Sequence, residues 1–366
     1  MKKLVFISSL VLIAIIMAII GVQGNKSEDN SNSNKTVKVG LIINGRTDDR
    51  GWNQSHYEGL KGLEGELNIT LLCRENVKED ESSLAVMNEL IEEGCKVIIC
   101  NSYGYGKYEQ KAANLHPEVF FYHATGDTNT ENMVTYFGRM YQIRYLTGIV
   151  AGLQTETNQI GYVAAMPIPE VIRGINAFAL GVQRVNKQAK VYVEWVHDWN
   201  DDKAAVAATD NLLNDHDIDV LTLHSDSFQP LELAEKRGIW TIGYNLDNSK
   251  YYPKTFLTAA VWNWRVFYRE QIKSCLQGKF KGGHYWEESK SGIITFSPLT
   301  DNVKPGIAAE VAEVKEELAK GNFDVFYGPI YANSGSLRVK NGESMSDETL
   351  LKNFDWLVRG VEGDCE

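Results

Sequence analysis

The chain repeats, twice, an alternation of short apolar strands with amphipathic helices. In its first half, runs rich in β-branched and aromatic residues at 37–44, 69–76, 97–102 and 119–125 are separated by helical patterns. Near-continuous apolar runs separated by helices are typical of parallel strands that are covered on both faces. The pattern therefore predicts a doubly wound α/β domain for this half.

The same alternation restarts after a long helical pattern at 139–154. Apolar runs at 159–166, 191–196, 220–225 and 240–245 again alternate with helices. We therefore predict two similar α/β lobes with a cleft between them. In open α/β sheets, ligands bind beyond the carboxyl ends of the strands, so the residues that follow each strand are the candidates for the site.

The N-terminus has the layout of an export signal. Lys2 and Lys3 precede an apolar run at 4–22, and Val22 and Gly24 place small residues three and one before a possible cleavage point after Gly24. The run is also long enough to span a bilayer, so residues 1–24 are predicted to be either a cleaved signal peptide or a retained membrane anchor. Residues 25–36 are polar and rich in Ser and Asn, which predicts a flexible linker.

Charge and motifs exclude several function classes. The net charge of −11 argues against non-specific nucleic-acid binding, which needs clustered basic residues. The sequence contains no G-x-S-x-G, H-E-x-x-H or Walker A motif, and its seven His show no i, i+4 pair. We therefore expect no catalysis, cofactor or metal. Five scattered Cys are interpreted as mostly buried thiols, with no disulfide between Cys95 and Cys100.

Aromatic and polar residues are concentrated at the predicted strand ends. The aromatics are suited to stack on a planar ligand, and the polar groups to orient it by hydrogen bonds. Core packing is the alternative for each aromatic, and a helix N-cap near Pro230 is the alternative for Asp226. The candidate ligand-binding residues are Trp52, Asn53, Tyr103, His123, Glu170, Trp199, Asp226, Asn245, Asp247, Trp262 and Trp264.

Four segments carry a resemblance to a known family. They are VGLIINGRTDDRGWNQSHYEGL, FYHATG, GYVAAMPIPEVIRGINAFALG and FYGPI. From about Val37 to Ile330 the chain resembles the basic membrane protein family of ABC-transporter substrate-binding proteins, and within it the purine-binding branch. The resemblance implies a type I periplasmic-binding fold with a hinge, three crossovers and an interlobe cleft. It also implies delivery of the ligand to a permease and an ATPase, without catalysis.

Carried over by residue, the resemblance implies that Trp52, with Asn53 beside it, faces a purine. It also implies that Asp247 occupies the position that holds ribose hydroxyls in nucleoside-binding members. Two departures stand out: Trp262, Asn263 and Trp264 occupy a segment where a Lys is expected, and no lipid-attachment Cys ends the signal. If these indoles fill the space of the sugar, the ligand is a free base, with adenine the first candidate.

These considerations predict a specific organisation. Residues 37–157 with 264–283 form the first lobe, residues 158–261 with 285–332 the second, and residues 333–366 a packed tail with a helix from Ser346 to about Arg359. The predicted function is that of an exported, monomeric purine-binding component of an importer, at the outer face of the cell membrane or in the periplasm. The alternatives are a nucleoside-binding importer component, a membrane-anchored sensor, and a nucleoside hydrolase that uses Asp226 or Asp247.

Overall fold

The computed structural model describes residues 36–365. The predicted signal peptide or anchor at 1–24, and all but the last residue of the predicted linker, lie outside the described residues. Within the described part, no helix is both long and apolar enough to cross a membrane. All five cysteines fall in this part and are free, with Cys95 and Cys100 buried.

The first half of the described chain alternates strands and helices. Its elements are β1 (Val37–Ile42), α1 (Trp52–Lys61), α2 (Glu64–Leu67), β2 (Ile69–Arg74), α3 (Ser82–Glu92), β3 (Cys95–Cys100), α4 (Gly106–Leu115), β4 (Phe120–Ala124), β5 (Met133–Gly138) and α5 (Tyr141–Gln154). Strand β5 is absent from the sequence prediction, although all six of its residues are buried. The single helix expected from Asn53 to about Leu67 is divided in two, because the poor helix former Gly62 ends α1.

The second half repeats the alternation and ends in short elements. They are β6 (Gln159–Ala164), α6 (Pro169–Val185), β7 (Lys190–Trp195), α7 (Asp202–Asp215), β8 (Val220–His224), α8 (Gln229–Arg237), β9 (Trp240–Asn245), β10 (Phe256–Trp262), α9 (Trp264–Leu276), β11 (Gly283–Glu287), β12 (Ile294–Phe296), α10 (Ile307–Ala319), β13 (Ile330–Tyr331), β14 (Leu337–Val339), α11 (Asp347–Lys352) and β15 (Val361–Glu362).

Two mainly parallel sheets organise these elements. The first has the strand order β11-β5-β4-β3-β1-β2, and the second has the order β12-β10-β9-β8-β6-β7-β15, with β12 antiparallel to β10. Leaving aside the edge strands β11, β12 and β15, both sheets have the same doubly wound order, which reverses beside β1 and beside β6. Such reversal points open a crevice at the carboxyl ends of the strands. The predicted α/β architecture with two lobes is confirmed.

The chain crosses between the sheets three times: after Gly138, after Trp262 and after Glu287. The crossovers converge, because a Cβ added to Gly138 would lie 2.9 Å from the Trp262 ring and 2.7 Å from Ile294. A side chain at residue 138 would therefore separate the three segments. Glycine at this position allows them to pack as one hinge.

Helix α5 packs against α6, and also against β10 and β12 of the second sheet. Helix α9 packs against α1, and β11 pairs with β5 of the first sheet. We therefore propose that the first lobe comprises residues 37–138 with 264–287, so that α5 belongs to the second lobe. The sequence expectation extends the first lobe to residue 157 because α5 precedes β6 in the chain.

The C-terminal tail packs on the second lobe. Its helix was expected to reach about Arg359, but α11 ends at Lys352. The chain then runs extended because Asn176 of α6 holds it, donating to the carbonyl of Trp356 at 2.7 Å and accepting from the amide of Val358 at 2.9 Å. Tertiary hydrogen bonds thus replace those of a continued helix.

Candidate ligand-binding site

A cleft of about 1190 Å³ lies between the two sheets, at the carboxyl ends of their strands. The first lobe contributes residues that follow β1, β3 and β4, and the second lobe contributes residues that follow β6, β7 and β8. Five of the sequence candidates line it: Trp52, Tyr103, Glu170, Trp199 and Asp226.

Trp52 is held rigidly at the start of α1. The Asp49 carboxylate accepts hydrogen bonds from the backbone amides of Gly51, Asn53 and Gln54, each at 2.9 Å, and so fixes the first turn. The indole nitrogen of Trp52 donates to the carbonyl of Asn101 at 2.8 Å. Hydrogen bonds thus fix both the first turn of α1 and the edge of the indole. The indole ring therefore presents a preorganised aromatic surface to the cleft.

An aromatic cluster supports Trp52 from behind. Trp262 and Trp264 stack on each other with ring centroids 4.4 Å apart, and Trp52 meets both edge-on, at 5.9 Å and 5.4 Å. His56 stacks on the other side of Trp264 at 4.4 Å, and burial holds the pKa of His56 well below its usual range. The ring is therefore neutral at physiological pH.

The cluster changes the expected role of the two indoles. Trp264 is fully buried and donates to the Ser55 hydroxyl at 3.0 Å, and Trp262 is 3% exposed. Neither lines the cleft. The crossover from β10 to α9 turns both side chains into the hinge, so the cleft lining gives no support to the prediction that they fill the space of a sugar. The exclusion of a nucleoside on that ground stays a prediction.

Asp226 forms part of the opposite wall, directly after β8. Its Oδ1 accepts from the Asn245 amide at 3.0 Å, and its own backbone amide donates to the carbonyl of Trp199 at 3.0 Å. Helix α8 begins three residues later without a side-chain cap, so Asp226 is not the helix cap considered as its alternative role. Burial, together with the nearby carboxylates of Asp49 and Glu170, raises its pKa to about 8. At pH 7 this carboxyl group therefore carries a proton.

A buried polar cluster lies behind the same wall. Burial, helped by the charge of Arg144, lowers the pKa of His224 to about 4. Its Nε2 lies 3.7 Å from the Glu170 carboxylate, which is too long for a hydrogen bond. The Arg144 guanidinium lies 4.0 Å over the ring of Tyr244, a cleft-lining residue. Tyr244 is thus fixed by a cation–π contact on the side away from the cleft.

The remaining sequence candidates support the cleft without lining it. Asn53 accepts from the Asn101 amide at 2.7 Å, and Asn245 holds Asp226. His123 is 2% exposed and contacts the carbonyl of Ser102 at 2.9 Å. Asp247 is exposed and accepts from the amide of Ser249 at 3.0 Å. The hydrogen bonds of these side chains fix the loops behind the site.

The sequence reasoning missed several lining residues. Asn44 and Asn101 follow β1 and β3 directly, which is a signal that the strand-end rule contains. Asn101 is fully buried, and its Oδ1 has no hydrogen-bond partner among the described residues. Leu351 and Lys352, which come from the tail, had no sequence signal because they lie far from any predicted strand end.

The cleft is acidic. Besides the protonated Asp226, four lining carboxylates face a single lining ammonium group, that of Lys352. They belong to Glu79, Asp127, Glu170 and Asp198. Such a wall repels anions and tolerates neutral or cationic ligands. Within residues 36–365, no group of three or more His, Cys, Asp or Glu side chains is arranged to hold a metal ion.

Two similar α/β lobes, a three-segment hinge and a preorganised interlobe cleft define a solute-binding protein of the periplasmic-binding type. The sequence model of the family described as Bmp, ABC transporter substrate-binding protein PnrA-like, matches residues 36–327. The chain belongs to this family. Its members are solute-binding proteins rather than enzymes, and they work with permease and ATPase partners.

Curated relatives support the assignment. The chain is 33% identical over 348 residues to a purine-binding protein of Brucella abortus strain 2308, covering 94% of this chain and 99% of that protein. It is 31% identical over 330 residues to a putative ABC transporter glucose-binding protein of Haloferax volcanii strain DS2, covering 90% and 81%.

Solved structures share the fold. A transcriptional activator of the comK gene from Bacillus halodurans matches with a TM-score of 0.70 at 23% identity, covering 78% of this chain and 99% of that chain. An ABC transporter solute-binding protein from Conexibacter woesei matches with a TM-score of 0.68 at 20% identity, covering 79% and 98%.

Proposed function

We propose that this protein is the exported binding component of an ABC importer and that its cleft captures a purine, with the adenine ring as the first candidate. The name of the Brucella relative supports a purine. The observation that carries the proposal is that Asp226, which accepts from Asn245, lines the same cleft as Trp52, whose indole nitrogen is held by Asn101. A purine offers both a flat π-face and a polar edge, and this cleft has groups suited to each.

The stacking face is assigned to Trp52. Its indole lines the cleft while its nitrogen is already satisfied by Asn101, so only its ring is available to a ligand. The stacked rings of Trp262 and Trp264 pack behind Trp52 and hold its ring in place when a base stacks on it. Base–aromatic stacking is typically worth about 1–3 kcal/mol, or about 5- to 150-fold in affinity.

The polar edge is assigned to Asp226 and Asn101. Oδ1 of Asp226 already accepts from Asn245, so the protonated carboxyl offers its hydroxyl to the ligand as a donor. The buried Oδ1 of Asn101 offers an acceptor. One donor and one acceptor match the N1 acceptor and the exocyclic amine donor of adenine, and hypoxanthine and guanine present the reversed pair there, an N1–H donor and an O6 acceptor.

The charge of the cleft excludes phosphorylated ligands from the proposal. Four further carboxylates line the cleft beside Asp226, and one ammonium group opposes them. A phosphate would add two negative charges to this wall. We therefore expect nucleotides to bind far more weakly than neutral bases or nucleosides.

Titration calorimetry of the purified protein tests the proposal. Adenine, hypoxanthine, guanine, adenosine, inosine, adenosine monophosphate and glucose are compared under one set of conditions. We expect a neutral purine with the hydrogen-bonding edge of adenine to bind most tightly and the nucleotide to bind at least ten-fold more weakly. Tight binding of glucose with no binding of any purine would refute the proposed ligand class and indicate a sugar-binding protein.

Three further tests address the cellular role. Following free base released from excess adenosine by chromatography separates binding from hydrolysis, and repeated turnover would contradict a binding protein. Co-purification with a membrane permease and an ATPase distinguishes import from sensing. Mass spectrometry of the N-terminus of the protein as it is exported reports whether residues 1–24 are cleaved or retained.

A further inference from the structure

Arg50 connects the two lobes across the edge of the cleft. It lies in the loop between β1 and α1, two residues before Trp52, but its side chain does not line the cleft. Its guanidinium lies 4.8 Å from the ring centroid of Phe228 and 4.2 Å from that of Tyr251. Both rings belong to the second lobe and come from different segments, so the cation lies against two separate aromatic surfaces.

The backbone of Arg50 takes part in the same contact. Its carbonyl accepts from the side-chain amide of Asn248 at 3.1 Å, again from the second lobe. Arg50 has a φ of 57°, in the left-handed region that is unfavourable for a non-glycine residue. The amide of Arg50 donates to Gln54 at 2.9 Å, which holds this conformation from the first-lobe side.

The neighbouring Gly51 brings this loop against the polar wall of the cleft. A Cβ added there would lie 3.6 Å from the Asn245 amide nitrogen and 3.7 Å from the carbonyl of Asp226. The loop therefore lies against the backbone of Asp226 and the side chain of Asn245, which bonds the Asp226 carboxyl group. Contact by Arg50 and engagement of Asp226 occur only when the lobes are close together.

We propose that Arg50 is a latch, which holds the closed lobes together through Phe228, Tyr251 and Asn248, forms reversibly with or without ligand, and sets how long a bound ligand stays. Arg50 is thus a positioning residue for binding, with no contact to the ligand. The proposal rests on the proposed function only for the choice of ligand. Because the latch stabilises the closed state, which must open before a bound ligand can leave, its loss should raise the dissociation rate and leave the association rate unchanged.

Stopped-flow tryptophan fluorescence with adenine measures both rates. We expect Arg50→Ala to raise the dissociation rate roughly 2- to 30-fold, the range that corresponds to a cation–π contact. Arg46→Ala is the matched control, since Arg46 lies in the same loop but forms an exposed pair with Asp48. Tyr251→Phe keeps the ring face and should behave as wild type, whereas Tyr251→Leu should raise the dissociation rate.

A double variant shows whether the two side chains act together. Arg50→Ala combined with Tyr251→Leu should dissociate no faster than Arg50→Ala alone, because Arg50→Ala already removes the contact with Tyr251. Additive effects, or a fall in the association rate with an unchanged dissociation rate, would overturn the latch.

A ligand-free measurement separates this inference from the choice of ligand. Hydrogen exchange of the loop at 48–52 should be faster in Arg50→Ala than in Arg46→Ala, with melting temperatures equal within error. If the wild-type protein binds no purine, the proposed function fails, and the exchange comparison still decides the latch. Equal exchange in the two variants would refute it.

Discussion

The carboxyl group of Asp226 makes ligand affinity depend on pH. Its pKa is raised from an ordinary 3.8 to about 8, because it is withdrawn from water and lies near the carboxylates of Asp49 and Glu170. If the ligand needs the protonated form, affinity follows the neutral fraction. That fraction is about ten-elevenths at pH 7 and about one-eleventh at pH 9, so affinity should fall roughly ten-fold, or about 1.4 kcal/mol.

The variant Asp226→Asn separates this prediction from a simple carboxylate role. From the sequence alone, Asp226 is expected to be a carboxylate that accepts a hydrogen bond from the ligand. Asn would then weaken binding, because it would place a donor against a ligand donor. The structure reverses that expectation, because an amide reproduces the donor and acceptor of a protonated carboxyl group. Asp226→Asn should therefore retain adenine binding at pH 7 and lose the decrease toward pH 9. Asp226→Ala, which removes both functions, is the control and should bind weakly at either pH.

The pH dependence of protein stability without ligand gives a second test, and the raised pKa of Asp226 fixes its direction. The folded protein binds this proton more tightly than the unfolded chain, so the contribution to stability is complete below pH 4 and is lost as pH rises through 8. The melting temperature of the wild type should therefore fall more steeply between these limits than that of Asp226→Asn. Calorimetric titrations and thermal melts at matched ionic strength measure both effects. A wild-type affinity that is constant from pH 7 to pH 9 would refute the reasoning.

Three other substitutions test the remaining assignments. Trp52→Ala should weaken purine binding by about 1–3 kcal/mol, or about 5- to 150-fold, in calorimetry, and an unchanged affinity would place the indole outside the contact. Trp264→Ala removes a fully buried ring from the hinge and should cost about 3–5 kcal/mol of unfolding free energy in denaturant melts, a loss that Trp264→Phe largely avoids. Asp347→Asn breaks the ion pair with Arg139, in which Asp347 is 56% exposed, and should cost no more than about 1 kcal/mol; a loss above 2 kcal/mol would show that the tail braces the first crossover.

The local pattern of apolar residues was sufficient to predict most of the fold. Apolar runs long enough to be covered on both faces identified the central strands of both sheets, because burial on two faces demands continuous hydrophobic sequence. Strand β5 has the same character and was overlooked between a polar loop and a long helix. The end of α11 could not be predicted, since the amide of Asn176, which holds the following segment, lies far away in sequence.

The candidate site was predictable only in part. The rule that ligands bind beyond strand ends depends on chain direction alone, and it selected Trp52, Trp199 and Asp226, which line the cleft. It also selected Trp262 and Trp264, which follow or end a strand but turn into the hinge. A strand end fixes where a residue lies, but the path of the crossover fixes which way its side chain points.

Two doubly wound lobes and the cleft between them follow from the sequence, because hydrophobic periodicity and strand direction are local properties of the chain, and the family follows from the resemblance of four sequence segments. The protonation of Asp226 and the position of Arg50 against the second lobe depend on the folded arrangement. Both depend on charges and rings brought together from separate segments: Asp49 and Glu170 around one carboxyl group, Phe228 and Tyr251 around one guanidinium. Coulombic and cation–π energies fall with distance in space, which sequence separation does not reveal.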